Sequence, residues 1–161
     1  ADALERLRTS GSAFALEIAA DTSNADPVLL RRFEALGTVH GKLPQHALPA
    51  LMAASDLLLV PSRFDSYGMV VAEALAGGTP AIVTTNVGAK DLIEPGANGF
   101  IVPAGDADTL YERLAWCASH PAELRAMAAA AARAGATADW SRYRDKVRGN
   151  VRTIFDRHWA T

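Results

Sequence analysis

The fold is most readily inferred from the stretch DLLLVPSRFDSYGMVVAEALAGGTPAIVT, which runs from Asp56 to Thr84. Its first apolar run ends at Val60, and a helical pattern then leads from Gly68 to the Gly-Gly pair that begins at Gly77. A second apolar run, from Pro80 to Thr84, follows at once. Uninterrupted apolar runs are typical of parallel strands covered on both faces, and parallel strands require a crossover helix between them. The stretch therefore predicts a strand, a helix and a second, parallel strand.

The same alternation of strands and helices continues on both sides of this stretch. It predicts an α/β fold with a doubly wound parallel sheet and extra helices at the C-terminus. The last strand is expected at an edge of the sheet. The other predicted strands are Phe14 to Ala19, Gly37 to Gly41 and Gly99 to Pro103. Two further helices are predicted from Asp26-Pro27 through Ala35 and from Pro49 to Ser55. Three more helices are predicted to begin at about Asp108, at Pro121 and near Asp139.

Length and composition limit what the chain can be. Its 161 residues suit a single domain, 1–161, and 50% hydrophobic with 21% charged residues is ordinary globular composition. The net charge of −2 gives no sign of a nucleic-acid partner. The single Cys117 cannot form an internal disulfide, and the four histidines show no metal-ligand spacing, so we expect no metal site. No apolar run reaches the roughly 20 residues that span a bilayer.

A ligand site is predicted where the first strand of the opening stretch leads into its helix. Ligands of parallel α/β sheets bind beyond the carboxyl ends of the strands. Pro61 to Tyr67 forms such a loop, and the backbone N–H groups of Tyr67 to Val70 would lack helical partners. Together with the helix dipole they favour an anion, and a phosphate is the natural occupant. Alternatively, the polar residues only turn the chain and cap the helix, and the sequence leaves both interpretations open.

Two carboxylates flank this helix start. Glu73 lies about one turn inside the helix, beside apolar residues such as Val71 and Leu75, where we expect an unpaired carboxylate to be costly. If it faces the crevice, it can accept hydrogen bonds from the vicinal hydroxyls of a ribose. Asp65 supplies a second acidic group. A phosphate at the helix start, a ribose at Glu73 and another acidic group at Asp65 together suggest a nucleotide-sugar as the ligand. No GxxxxGK[ST] or GxGxxG motif occurs, so neither a P-loop hydrolase nor a dinucleotide oxidoreductase is indicated.

Several longer motifs carry a resemblance to a known family. VPSRFDSYGMVVAEALAGGTPAIVT resembles the signature of the retaining GT-B glycosyltransferases of group 1, also called glycosyltransferase family 4. GTVHGKLP and ALMAASDLLLVPS before it, and NVGAKDLIEPGANGFIVPAGDADTL after it, resemble the flanking motifs in the family's order. Trp140 and Tyr143 are similar to the pair that opens the family's last helix. The resemblance extends from about Thr38 to the C-terminus and implies a Rossmann-like domain that binds a nucleotide-sugar.

The resemblance implies a role for each matching residue. The family's paired glutamates fall on Asp65, expected as the catalytic carboxylate at the donor sugar, and on Glu73, expected at the ribose. Gly41, Lys42 and Leu43 match the place of the nucleobase. Neither a cofactor nor a metal is expected, so amide dipoles would stabilise the leaving diphosphate. The backbone N–H groups expected to bind sugar hydroxyls and diphosphate oxygens are those of Ser66, Tyr67, Gly68, Met69 and Val70.

The resemblance also implies what the whole protein does. It would be a glycosyltransferase of the hexosyltransferase type that moves a sugar from a nucleoside diphosphate to a polysaccharide or glycolipid acceptor. It would work in the cytoplasm, and a peripheral attachment to the inner face of the membrane is compatible with that role. The chain looks like a piece without the family's N-terminal acceptor domain and without its own first strand, so we expect no transfer by it alone. Ile154, Phe155 and Trp159 are expected to contact the missing domain.

The chain departs from the family pattern in two ways. Asp65 stands where the family usually has Glu, so its carboxylate falls short by about 1.5 Å, one bond length. The Arg and Lys that clamp the diphosphate in the family would precede this chain. The remaining basic candidates are Lys42, Arg63 and Lys90, with solvated surface charge as the simpler interpretation of each.

Two other functions remain as alternatives. An epimerase of the same two-domain architecture would also act on a nucleotide-sugar, although the Asp65 and Glu73 pair argues against it. A non-catalytic nucleotide-binding module, such as a receiver-like domain, would need an acidic cluster after the first strand, and FALEIAAD supplies only one aspartate there.

Overall fold

The computed structural model describes residues 1–138, 148–149 and 151–153. This part of the chain alternates helices and short strands, as the sequence predicts. Two 3-10 helices, Gln45–Ala47 and Gly88–Leu92, accompany the regular elements. The elements are α1 (Asp2–Thr9), β1 (Glu17–Ala19), α2 (Pro27–Leu36), β2 (Thr38–Gly41), α3 (Leu48–Ala53), β3 (Leu58–Val60), α4 (Met69–Ala76), β4 (Ala81–Thr84), β5 (Gly99–Val102), α5 (Ala107–Ser119), α6 (Pro121–Ala126) and α7 (Ala128–Ala136).

All the strand pairs in the described residues are parallel, which confirms the α/β class. β4 lies between β3 and β5, with Leu59 opposite Ile82 and Ile82 opposite Phe100. β5 is an edge strand, as predicted. β1 and β2 pair in a second sheet of their own, so the described strands form two hydrogen-bonded sheets where the sequence predicted one. β1 and β3 are three residues each and so offer few backbone groups for pairing with each other.

The core lies on both faces of the three-stranded sheet, because successive side chains of a strand point to opposite faces. Leu59 and Ile82 pack against α1, α5 and α6 on one face. Val60 and Val83 pack against α4 and α7 on the other. All four residues of β4 are buried, which is the pattern expected of a central strand covered on both sides.

Helix α4 is held tightly between the sheet and α7. Its inward residues Val71, Ala74 and Leu75 are fully buried. On the α7 side, a Cβ atom added to Gly135 would lie 2.1 Å from the backbone nitrogen of Ala76, so the two helices touch through their backbones. This packing fixes where α4 begins, at the carboxyl edge of β3.

Candidate functional site

The loop between β3 and α4, residues 61–68, enters the helix through a left-handed glycine. Gly68 has φ 83° and ψ 57°, a conformation that residues with a side chain rarely adopt. A Cβ atom there would also lie 2.6 Å from Cγ1 of Val87. Glycine is therefore required at this position both for the backbone conformation and for the space that Val87 occupies. This α4 entry loop (residues 61–68) contains four of the ten predicted site residues, Asp65, Ser66, Tyr67 and Gly68.

A second loop, residues 85–88 after β4, holds the α4 entry loop in place through hydrogen bonds between the backbones of the two loops. The N–H of Asp65 donates to the carbonyl of Asn86 at 3.1 Å, and the N–H of Gly88 donates to the carbonyl of Asp65 at 3.1 Å. These bonds form a parallel bridge between Asp65 and Val87. The side-chain amide of Asn86 also donates to the carbonyl of Arg63 at 2.9 Å. The two loops thus continue the strand pairing beyond the end of the sheet.

Further contacts join the same two loops at each end. The hydroxyl of Thr84 donates to the carbonyl of Ser62 at 2.6 Å, and the N–H of Ala89 donates to the carbonyl of Tyr67 at 2.5 Å. From the sequence, Asn86 and Gly88 were recognised only as part of the motif that follows Thr84, and none of the three was predicted to belong to the site. The available indication was the position of Asn86 and Gly88 after a buried strand, at the same sheet edge as the α4 entry loop.

The start of α4 presents unpaired backbone donors. Among the described residues, the N–H groups of Ser66, Gly68, Met69 and Val70 donate no hydrogen bond; we call these four groups the amide site. The first helical bond runs from the N–H of Val71 to the carbonyl of Gly68, at 2.9 Å. Unpaired N–H groups at a helix start carry the positive end of the helix dipole. The arrangement can therefore bind an anion.

The N–H of Tyr67 has no helical partner, as expected, but it is bonded within its own loop. Its N–H donates to Oδ1 of Asp65 at 3.1 Å. An aspartate side chain readily bonds the backbone two residues later, which closes a local turn. The ring of Tyr67 remains 38% exposed at the edge of the site.

Glu73 lies on the outer face of α4, four residues after Met69. Residues four apart are neighbours on one helix face, so the carboxylate follows the amide site along the helix. The side chain is exposed, and within the described part of the chain it has no hydrogen bond or ion pair. The expectation of a costly position beside Val71 and Leu75 is therefore wrong, because those residues point inward and Glu73 points outward. Its carboxylate is free to meet a ligand.

The predicted nucleobase loop follows β2, a strand of the two-stranded sheet. Gly41 ends β2 with φ 69°, Lys42 is exposed and Leu43 is half-buried. In the described residues, no hydrogen bond joins positions 41–43 to the α4 entry loop. Residues 65–70 and 73 thus lie at the start of α4, and residues 41–43 lie at the end of β2.

One of the three basic candidates has a defined partner near the site. Nζ of Lys90 donates to the carbonyl of Thr85 at 2.6 Å, which places the ammonium beside the loop after β4. Arg63 and Lys42 are exposed. Two clefts on the α1 side of the molecule, lined in part by the ion-paired Glu5 and Arg32, include none of residues 61–73.

In residues 1–138, 148–149 and 151–153, no three His, Cys, Asp or Glu side chains are grouped so that they could hold a metal ion. Within the same ranges, every helix is too short or too polar to cross a bilayer. The residues expected to contact a missing domain, Ile154, Phe155 and Trp159, lie outside the described residues, as do Trp140 and Tyr143.

Comparison with known proteins identifies the family. The profile of the family described as glycosyl transferases group 1 matches residues 31–135, which include β2 to β5 and both loops of the site. The chain belongs to this family. As a group 1 member it is 34% identical over 98 residues to a D-inositol 3-phosphate glycosyltransferase of Thermobispora bispora, covering 61% of this chain and 23% of the relative. The matched segments span 20% to 27% of the length of the first curated relatives.

Solved structures show the same fold at low sequence identity. The sucrose-phosphate synthase of Thermosynechococcus elongatus superposes with a TM-score of 0.69 at 23% identity, over 96% of this chain and 42% of that protein. The HepE protein of Anabaena, solved in complex with UDP, superposes with a TM-score of 0.69 at 20% identity, over 94% of this chain and 52% of that protein. The group 1 fold predicted from the motifs is therefore confirmed.

Proposed function

We propose that this chain is the donor-binding part of a retaining glycosyltransferase that moves a sugar from a nucleoside diphosphate to a polysaccharide or glycolipid acceptor. Two findings support this: the chain belongs to the glycosyl transferases group 1 family, and similar folds occur in proteins solved with UDP or UDP-glucose. The observation that carries the proposal is the amide site, four N–H groups at the start of a helix beyond a parallel strand that have no partner in the described part of the chain.

In this proposal the diphosphate lies against the amide site. A diphosphate offers several anionic oxygens, and backbone N–H groups at a helix start provide directed donors with a favourable dipole. The same groups would stabilise the charge that grows on the diphosphate as the glycosidic bond breaks. Neither a metal nor a cofactor is part of the proposal.

The two carboxylates have separate roles. Glu73, one helical turn from the amide site and exposed, would accept hydrogen bonds from the ribose hydroxyls. Asp65 would present Oδ2, the oxygen not bonded to Tyr67, to the donor sugar near its reacting carbon. Developing positive charge at that carbon would be stabilised by the carboxylate. Gly41, Lys42 and Leu43 would contact the nucleobase from the end of β2.

Acceptor binding and transfer are proposed to need the remainder of the protein. The chain matches only about a quarter of the length of its curated relatives. We therefore expect the 161-residue chain to bind the donor nucleotide and to transfer no sugar by itself. The full-length enzyme would act in the cytoplasm, with a peripheral attachment at the membrane's inner face where its acceptor is a glycolipid.

Calorimetric titration of the chain with UDP, GDP and ADP tests the proposal. We expect one of the three to bind, and Glu73→Ala to weaken that binding about 10- to 100-fold, because a carboxylate bonded to ribose hydroxyls contributes about 1.5–3 kcal/mol. Glu34→Ala, which removes an exposed glutamate from α2, is the matched control and should leave the affinity unchanged. No binding of any nucleotide by the folded chain, or equal binding by the Glu73 variant, contradicts the assignment.

A further inference from the structure

Asp65 is fixed in place by three hydrogen bonds at once. Its backbone N–H and carbonyl are both bonded to the loop after β4, through Asn86 and Gly88. Its side chain turns back along its own loop, where Oδ1 accepts the N–H of Tyr67 at 3.1 Å. The second oxygen, Oδ2, lies over Gly68, 3.8 Å from where a Cβ atom of that residue would stand. A carboxylate used only to meet a substrate would not need these contacts.

The turn closed by Asp65 directly precedes the amide site. Because the Tyr67 N–H is bonded to Asp65, the peptide that follows is set for the left-handed Gly68 and for the start of α4 at Met69. The N–H groups of Ser66 and Gly68, on either side of Tyr67, remain without acceptors in the described part of the chain. The Asp65 side chain thus pairs the N–H of Tyr67, and within the described residues it leaves the N–H groups on either side unpaired.

We propose that Asp65 is a positioning residue for the diphosphate, acting through Oδ1 on the turn from Asp65 to Gly68. The inference rests on the proposed function, since the diphosphate is the ligand that the amide site would hold. What the turn requires is an acceptor oxygen on the atom attached to Cβ; the negative charge is not required. Asparagine has an oxygen at the same place. Glutamate carries its oxygens about 1.5 Å further from the backbone, and alanine has none.

This separates two roles within one side chain. Oδ1 shapes the turn, and Oδ2 is left for the donor sugar. Asparagine should therefore preserve nucleotide binding while it removes the charge that the proposed transfer uses. The family pattern's usual residue, glutamate, should fail in this chain, because the backbone of Asp65 is already fixed by Asn86 and Gly88 and cannot retreat to fit a longer side chain.

The test compares Asp65→Asn, Asp65→Ala and Asp65→Glu in the 161-residue chain, titrated with UDP, GDP and ADP. Loss of a capping hydrogen bond is expected to weaken binding about five- to tenfold in the alanine and glutamate variants, with asparagine within about threefold of wild type. Asp26→Ala is the matched control, because Asp26 accepts the N–H of Val28, two residues on, at 2.8 Å at the start of α2. It should leave nucleotide affinity unchanged.

A second readout needs no ligand. Hydrogen exchange of the Tyr67 amide should be about fivefold faster in Asp65→Ala and Asp65→Glu and unchanged in Asp65→Asn, because only the first two lose its acceptor. Asparagine as weak as alanine, glutamate as strong as wild type, or an unchanged Tyr67 exchange rate in Asp65→Ala overturns the inference. If wild type binds none of the three nucleotides, the proposed function fails, and the exchange rates alone decide whether Asp65 shapes the turn.

Discussion

Substitution of Gly88 by alanine tests the contact on which the site's geometry depends. Gly88 does not have a positive φ, so an alanine there is not strained by its backbone conformation. The added Cβ atom would lie 2.3 Å from the carbonyl oxygen of Ser66 and 3.0 Å from Cα of Tyr67. The first distance is roughly 1 Å too short for a carbon and an oxygen in contact, and both neighbours are backbone atoms. The two loops must therefore separate.

The loss of stability in Gly88→Ala can be worked out from the contacts that break when the two loops separate. Overpacking by one methyl group costs about 1–3 kcal/mol, and each backbone hydrogen bond lost between the loops about 0.5–1.5 kcal/mol. We expect Gly88→Ala to lower the free energy of unfolding by about 2–4 kcal/mol and the melting temperature by about 5–15 °C, since a chain of this size loses about 2–4 °C per kcal/mol. The variant should also bind the nucleotide more weakly, because Asp65 is no longer held by Asn86 and Gly88.

Thermal unfolding followed by circular dichroism, and nucleotide titration below the melting temperature, measure both effects. Gly77→Ala is the matched control: Gly77 ends α4 with φ −77°, and its added Cβ atom would meet Ala74 O at an ordinary 3.4 Å. Gly77→Ala should change neither the melting temperature nor the nucleotide affinity by much. If Gly88→Ala melts and binds like wild type, the close backbone contact between the two loops is not a feature of the folded protein.

Two further predictions concern stability and reactivity away from the site. Burial raises the pKa of the Cys117 thiol to about 11. The reaction of this thiol with a disulfide reagent at pH 8 should therefore be about a hundredfold slower in the native chain than in denaturant. Equal rates would contradict the burial of Cys117. Hydrogen bonds from Thr109 lower the pKa of Asp106, the N-cap of α5, below its ordinary 3.8. The stabilisation from Asp106 is therefore present above that pH and lost as the pH falls through the lowered pKa. The melting temperatures of wild type and Asp106→Asn should differ at pH 7 and converge once the pH has fallen through that lowered pKa. A constant difference would contradict the ionic contribution.

The elements that the sequence predicted well are those with local boundaries. Helix α4 was expected between Gly68 and Gly77 and is found at Met69–Ala76, because a left-handed glycine starts it and a Gly-Gly pair ends it. The first strand was expected from Phe14 but pairs only from Glu17, since a partner strand, β2, begins at Thr38 and sets its length. Helices α6 and α7 were not separated, because the break is the single residue Met127 in an alanine-rich stretch without a stop residue.

The place of the candidate site in the fold was predictable from the sequence, but its hydrogen bonding was not. The order of strand, polar loop and helix located residues 65–70, since ligand loops of parallel sheets follow the carboxyl ends of the strands. The pairing of Asp65 with Asn86 and Gly88 joins residues more than 20 positions apart, and no local pattern encodes it. The bond from the N–H of Tyr67 to Asp65 is different, because it closes a local turn of a kind that aspartate commonly forms. It was not predicted, because Asp65 was interpreted as a ligand-binding group.

The α4 entry loop is already ordered before a ligand binds, which would lower the entropic cost of binding a diphosphate. Fixing one residue's backbone costs about 1–2 kcal/mol, so a mobile loop that ordered only on binding would lose much of the gain from its hydrogen bonds. Here the order of the α4 entry loop is set during folding by contacts with the loop after β4, through Asp65, Asn86 and Gly88. The amide site is then preorganised, and its donors need only exchange water for ligand oxygens. Residues after β4 should therefore control nucleotide affinity without touching the nucleotide, and their effects should be non-additive with Asp65 because they act on one shared turn.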